Sequence, residues 1–165
     1  MIKYILFFLL SISTLSVEAQ IFTNRGKKDK APSFELVDVN GDTISTASIQ
    51  GKVVVLNFWF IGCKPCLEEI PELNEIYETY RDNPDVVFTS ISIDSAKKIE
   101  KHRTKYNIRW PVVADGSAIS ELFKVEGYPT NIVINKKGRY ELEIAGGFAK
   151  IGKVIRKAIE QALEE

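Results

Sequence analysis

Cys63 and Cys66 are the only cysteines of the 165-residue chain, separated by Lys64 and Pro65. Two thiols at this spacing can close a disulfide, help hold a metal or pack as inert small side chains, so their setting decides. An apolar run over residues 53–60, interrupted only by Asn57, precedes them, and a helical pattern follows. Pro65 falls just inside the expected helix start, where its missing N–H is harmless. Cys63 then lies at the positive end of the helix dipole, beside unpaired backbone N–H groups. That environment favours a thiolate and makes Cys63 the nucleophile, with Lys64 adding positive charge in the same direction. Cys66, about one turn further in, would be shielded and placed to attack a mixed disulfide formed on Cys63.

Other uses of the pair fit less well. An inert disulfide across two residues closes a tiny loop and constrains the unfolded chain little. Haem attachment requires His directly after the second Cys, and Leu67 stands there. The single histidine, His102, lies among Lys98, Glu100, Lys101 and Arg103, the pattern of a solvated face. Two Cys and one His are too few for a four-ligand zinc site made of those residues alone. No metal and no cofactor is therefore expected beyond a redox-active Cys63–Cys66 disulfide.

Something must hold this pair. The length suits one domain, and 45% hydrophobic with 27% charged residues is ordinary globular composition. The 22 basic residues balance the 22 acidic ones, which removes the electrostatic footprint of a nucleic-acid binder.

Residues 1–19 read as a signal peptide: Lys3 near the start, an apolar stretch over 5–10, then Val17-Glu18-Ala19 as the cleavage site. Retention as a membrane anchor is the weaker alternative, because a span needs about 20 apolar residues and this run meets Ser11 and Glu18. The chain is accordingly expected to be exported to the periplasm, where a disulfide persists. Residues 20–30, with Lys27-Lys28-Asp29-Lys30, read as a flexible leader, and 31–165 as the folded domain.

Within that domain, periods of two and 3.6 alternate. Residues 33–39 read as a strand before the turn Asn40-Gly41-Asp42. Residues 53–60 read as a central strand and 65–80 as a helix kinked at Pro71. Strands over 86–93 and 112–114 and helices over 95–106 and 117–123 come next. Residues 130–135 and 139–145 flank the turn Lys136-Lys137-Gly138, and a last helix carries Ile151, Val154, Ile155, Ala158, Ile159, Ala162 and Leu163 on one stripe. This order predicts an α/β fold with a mixed central sheet flanked by helices.

The stretch Asn57-Phe58-Trp59-Phe60-Ile61-Gly62-Cys63-Lys64-Pro65-Cys66 resembles the active-site segment of the thioredoxin superfamily. Leu67-Glu68-Glu69-Ile70-Pro71-Glu72-Leu73 narrows the resemblance to the exported TlpA/ResA-type thiol-disulfide oxidoreductases. Trp110-Pro111-Val112-Val113-Ala114-Asp115 and Gly127-Tyr128-Pro129-Thr130 match later segments of that family. The likeness covers residues 31–163 and implies a thioredoxin-like fold with an N-terminal β-hairpin and a strand–helix insertion. It also implies protein thiol or disulfide clients, a membrane-embedded electron donor and, with reduction favoured over oxidation, a part in cytochrome c maturation. Two positions depart from the pattern. Gly62 replaces the Trp usual before the first Cys, and Asn57 replaces the buried Asp of thioredoxin itself.

The resemblance also singles out residues around the pair. Glu69 shares a helix face with Cys66 and matches an acid linked to the cysteines in ResA-like members. If buried, it could exchange a proton with Cys66; otherwise Glu68, Glu69 and Glu72 simply suit a helix N-terminal region. Pro129 resembles the cis-proline that faces the disulfide, and the Tyr128 backbone would then pair with an extended client segment. Trp59 is expected to border the site, although as an aromatic it also suits the core.

Two other classes compete with the oxidoreductase. A thiol peroxidase of the related redoxins places Thr or Ser three residues before its nucleophile and Pro seven before; Phe60 and Leu56 stand there. A non-catalytic binding module or metallochaperone would use the same pocket, and metal titration of the reduced protein separates it.

Overall fold

The computed structural model describes residues 29–147 and 149–165. The expected signal peptide and most of the expected leader lie outside the described residues. Asp29 and Lys30, placed in that leader, are already pinned. The Tyr140 N–H donates to the Asp29 carbonyl at 3.1 Å, and Lys30 forms a β-bridge with Arg139. Among the described residues, no helix is long and apolar enough to cross a membrane.

Strands β1 (Glu35–Val37) and β2 (Thr43–Ser45) form an antiparallel hairpin. Its turn is tied by Asp38, whose Oδ1 accepts the N–H groups of Asn40 and Asp42 at 2.8 and 2.9 Å. The main sheet holds β3 (Val53–Trp59), β4 (Val86–Ser92), β5 (Val112–Val113), β6 (Thr130–Ile134) and β7 (Tyr140–Ala145) in the order β5-β4-β3-β6-β7. β4 runs parallel to β3 and β5, while β6 runs antiparallel to β3 and β7. The sheet is mixed, as the alternation of periods predicts.

Among the described residues there are four helices: α1 (Lys64–Tyr80), α2 (Ala96–Tyr106), α3 (Ser117–Leu122) and α4 (Ile151–Leu163). α1 is assigned as one helix with Pro71 inside it. β3 and β6 are buried along their whole length, so both faces of the sheet are covered. Val53, Val55 and Trp59 pack with Ile70, Leu73 and Ile76 of α1 and Ile155 and Ile159 of α4. Val54, Leu56 and Phe58 face the other way, toward Phe34, Leu36 and Phe123. This period-two division is what a strand sandwiched between two layers requires.

Candidate active site

Cys63 and Cys66 are joined by a disulfide. Cys63 is the N-cap residue of α1, and its Sγ accepts the backbone N–H of Cys66 at 3.3 Å. The sulfur of the expected nucleophile therefore occupies the place where a helix offers free donors and positive potential. Cys63 is 6% exposed and Cys66 2%. In the disulfide form both cysteines are largely covered.

Lys64 does less than its position suggests. Its side chain is 87% exposed and pairs with Glu68 at 3.7 Å. A solvated i,i+4 ion pair of this kind contributes little. Gly62 takes φ +102°, in the region that favours glycine, and an added Cβ would meet nothing within 4 Å. Backbone conformation, not space, suits a glycine before Cys63. Gly147 approaches the active-site turn from the far side: a Cβ there would lie 2.8 Å from Cβ of Pro65.

The three glutamates early in α1 have separate partners. Glu68 is on the surface with Lys64. Glu72 Oε2 accepts the Gly152 N–H at 2.8 Å, which puts a carboxylate at the start of α4, where the dipole favours it. Glu69 is buried, and its Oε2 accepts Nδ2 of Asn131 at 2.9 Å. Asn131 Oδ1 in turn accepts Nδ2 of Asn57 at 2.9 Å. Helix preference alone does not explain a carboxyl buried against a sheet amide.

The sheet register explains the chain of amides. Asn57 on β3 pairs with Asn131 on β6 and with Ser90 on β4. Directly paired residues point to the same face, so Ser90, Asn57 and Asn131 form a polar row across three strands. Ser90 Oγ accepts the indole N–H of Trp59 at 3.1 Å and that of Trp110 at 2.8 Å. Trp59, expected to border the site, is only 2% exposed. It is a core side chain beneath the site and offers a client almost no surface.

The Tyr128–Pro129 peptide bond is cis. β3 and β6 pair Phe58 with Thr130, so Pro129 lies at the same end of the sheet as the turn leading to Cys63. The Tyr128 ring packs edge-on against Phe60 of that turn, with centroids 5.5 Å apart, and its hydroxyl donates to Ser120 Oγ at 3.1 Å. His102 sits on α2, away from the cysteines in sequence. Its Nδ1 pairs with the Lys98 carbonyl at 2.8 Å and its ring stacks on Tyr106.

The carboxylate of Asp94 also reaches the active-site turn. Its Oδ2 accepts the Ile61 N–H at 2.5 Å. The sequence alone does not point to Asn131, Ser90 or Asp94. The contacts that bring them to the site span 20 to 74 residues, so no local spacing signals them.

The family model of the AhpC/TSA family matches residues 28–141, more than half of the chain. The thiol-disulfide oxidoreductase ResA of Bacillus thuringiensis is 32% identical over 129 residues, 76% of this chain and 75% of that protein. The chain belongs to this family, as a TlpA/ResA-type thiol-disulfide oxidoreductase. The oxidoreductase is also 31% identical to the thioredoxin-like protein YneN of Bacillus subtilis, over 82% of its own length and 77% of the relative's. Among solved structures, a thiol:disulfide interchange protein of the thioredoxin family from Chlorobium tepidum superposes with a TM-score of 0.70 at 26% identity, covering 81% of the oxidoreductase and 95% of that chain. The fold is thioredoxin-like, and the Cys63–Cys66 pair is its redox centre.

Proposed function

We propose that this oxidoreductase reduces disulfides of client proteins outside the cytoplasm. The observation that carries the direction is the buried carboxyl of Glu69, one turn after Cys66, combined with a Lys64 side chain that points into solvent. A carboxylate beside the pair disfavours a second negative charge on sulfur, and the exposed lysine offers little compensation. Strong oxidants of this class stabilise their reduced form; disfavouring the thiolate moves the couple toward a reductant.

In the reaction, the Cys63 thiolate attacks one sulfur of a client disulfide. A mixed disulfide forms, and the displaced client thiolate takes up a proton. Cys66 then gives its proton to Glu69 and attacks Sγ of Cys63, which expels the second client thiolate; Glu69 gives up its proton to solvent and the client thiolate takes one up. The client gains two electrons and the oxidoreductase is left with the Cys63–Cys66 disulfide. A dithiol on a membrane-embedded donor returns the electrons. Alongside the cis Tyr128–Pro129 bond, the Tyr128 backbone receives the extended client segment as an added strand. Cleavage after Ala19 and release into the periplasm place the domain where such clients occur, and apocytochrome c thiols that must be kept reduced are one such class.

Trapping tests this reading. Cys66→Ser should accumulate a mixed disulfide on Cys63 with a disulfide-bonded peptide, because the resolving thiol is gone. Failure to form the adduct, or an adduct carried instead by Cys66 in Cys63→Ser at the wild-type rate, would reverse the assigned roles.

A further inference from the structure

Asp94 lies between β4 and α2 and is buried, yet it carries a carboxylate. Oδ2 accepts the Ile61 N–H at 2.5 Å and the Ser92 hydroxyl at 3.2 Å, while Oδ1 takes the Lys98 ammonium from one turn along α2. Its backbone is equally committed: the carbonyl accepts the Asp115 N–H at 2.9 Å, and its own N–H donates to Ser92 Oγ at 3.2 Å. Burial pushes the Asp94 carboxyl up, but the donors Ile61, Lys98 and Ser92 and the charge of Lys98 outweigh it and hold the group below its ordinary value. It is ionised at neutral pH.

Ile61 is two residues before the nucleophile, and the residue between them is Gly62 at φ +102°. A glycine has wide backbone freedom. The turn 60–62 is thus fixed from outside: on one side the Phe60 ring meets Tyr128, and on the other the Ile61 amide is held by Asp94. We propose that Asp94 is a positioning residue for disulfide exchange, latching the Ile61 amide so that Gly62 carries Cys63 into the N-cap position of α1. It acts through the turn and does not touch the reacting sulfurs. This role holds whichever direction the electrons flow.

The sign of the effect separates a latch from a simple field. Removing a negative charge near a thiol would, through electrostatics alone, make the thiolate easier to form. Releasing the turn instead takes the Cys63 sulfur away from the helix donors and makes the thiolate harder to form. The charged groups that contact Asp94 are Lys98 on α2 and, through its backbone alone, Asp115 before α3.

The test compares wild type, Asp94→Ala and Asp94→Asn, all reduced, by the pH profile of Cys63 alkylation and the rate of exchange with oxidised glutathione. Misplacement of a reacting group by an ångström costs up to about a hundredfold, and a partly freed turn is expected to slow Asp94→Ala about tenfold. Its alkylation profile should move to higher pH. Asp94→Asn keeps a carbonyl acceptor for Ile61 without the charge, and should recover to within about threefold of wild type. Wild-type rates and profiles in Asp94→Ala, with only a lower melting temperature, would overturn the proposal, as would a profile moved to lower pH. Should Asp94→Ala not fold, Asp94→Ser, whose shorter side chain cannot reach the Ile61 amide, takes its place: a slower rate with a profile at higher pH supports the latch, and wild-type curves overturn it.

Discussion

Asn131 donates its side-chain amide to the buried carboxyl of Glu69 at 2.9 Å, from a strand 62 residues further along the chain. The orientation of the amide is set by its other end, because Asn131 Oδ1 accepts from Asn57. Its donor face therefore points at Glu69, which suits a carboxylate. Thioredoxin's buried strand acid is absent at Asn57, and here the carboxyl comes from the helix while the strand supplies the amide that steadies it.

With Glu69 ionised, as the proposed direction requires, Glu69→Gln should make the cysteine thiolates form at lower pH, because it removes a neighbouring negative charge while keeping the shape. A shift of about half a pH unit, equivalent to roughly 0.7 kcal/mol, is measurable. Thiolate absorbance against pH reads it. Superimposable curves would leave Glu69 a structural side chain.

Asn131→Ala removes a donor from Glu69 and an acceptor from Asn57 in one change. Leaving buried polar groups without partners costs about 1–3 kcal/mol. A fall of that size in unfolding free energy by urea titration is expected.

The arrangement of elements was legible in the sequence because it rests on local signals. The apolar run before Cys63, Pro65 at the helix start and the stripe from Ile151 to Leu163 each announce an element within a few residues. The i,i+3 relation of Cys66 and Glu69 was legible for the same reason. What was not legible depends on register. The sequence does not say that Asn57 falls between Ser90 and Asn131, since a one-residue slip would turn each of them to the opposite face. Trp59 could equally have bordered the site until its partner, Ser90, was located. Asp29 and Lys30 read as leader because a charged run carries no sign of the β7 hairpin that pins them.

Ser90→Ala tests that polar row. It withdraws one hydroxyl that accepts from two buried indoles. Two stranded donors should cost about 2 kcal/mol or more. Equal stability of Ser90→Ala and wild type in urea would show that the two indoles find other acceptors.

Asp94 makes stability depend on acid. Its carboxyl is held below the ordinary value of 3.8, so folding gains from the ionised form. That contribution is fully present above the unfolded value and is lost as pH falls through the lower folded value. The stability difference between wild type and Asp94→Asn should therefore shrink between neutral pH and pH values below about 4. Urea midpoints of both proteins across that range check it, and a difference that stays constant would contradict the ionised latch.

The reduction potential of the Cys63–Cys66 couple, equilibrated against glutathione or dithiothreitol buffers and read by alkylation, tests the central claim most directly. A reductant should lie on the thioredoxin side, below about −200 mV, whereas a value near about −120 mV, the strong-oxidant end, would contradict the assigned direction.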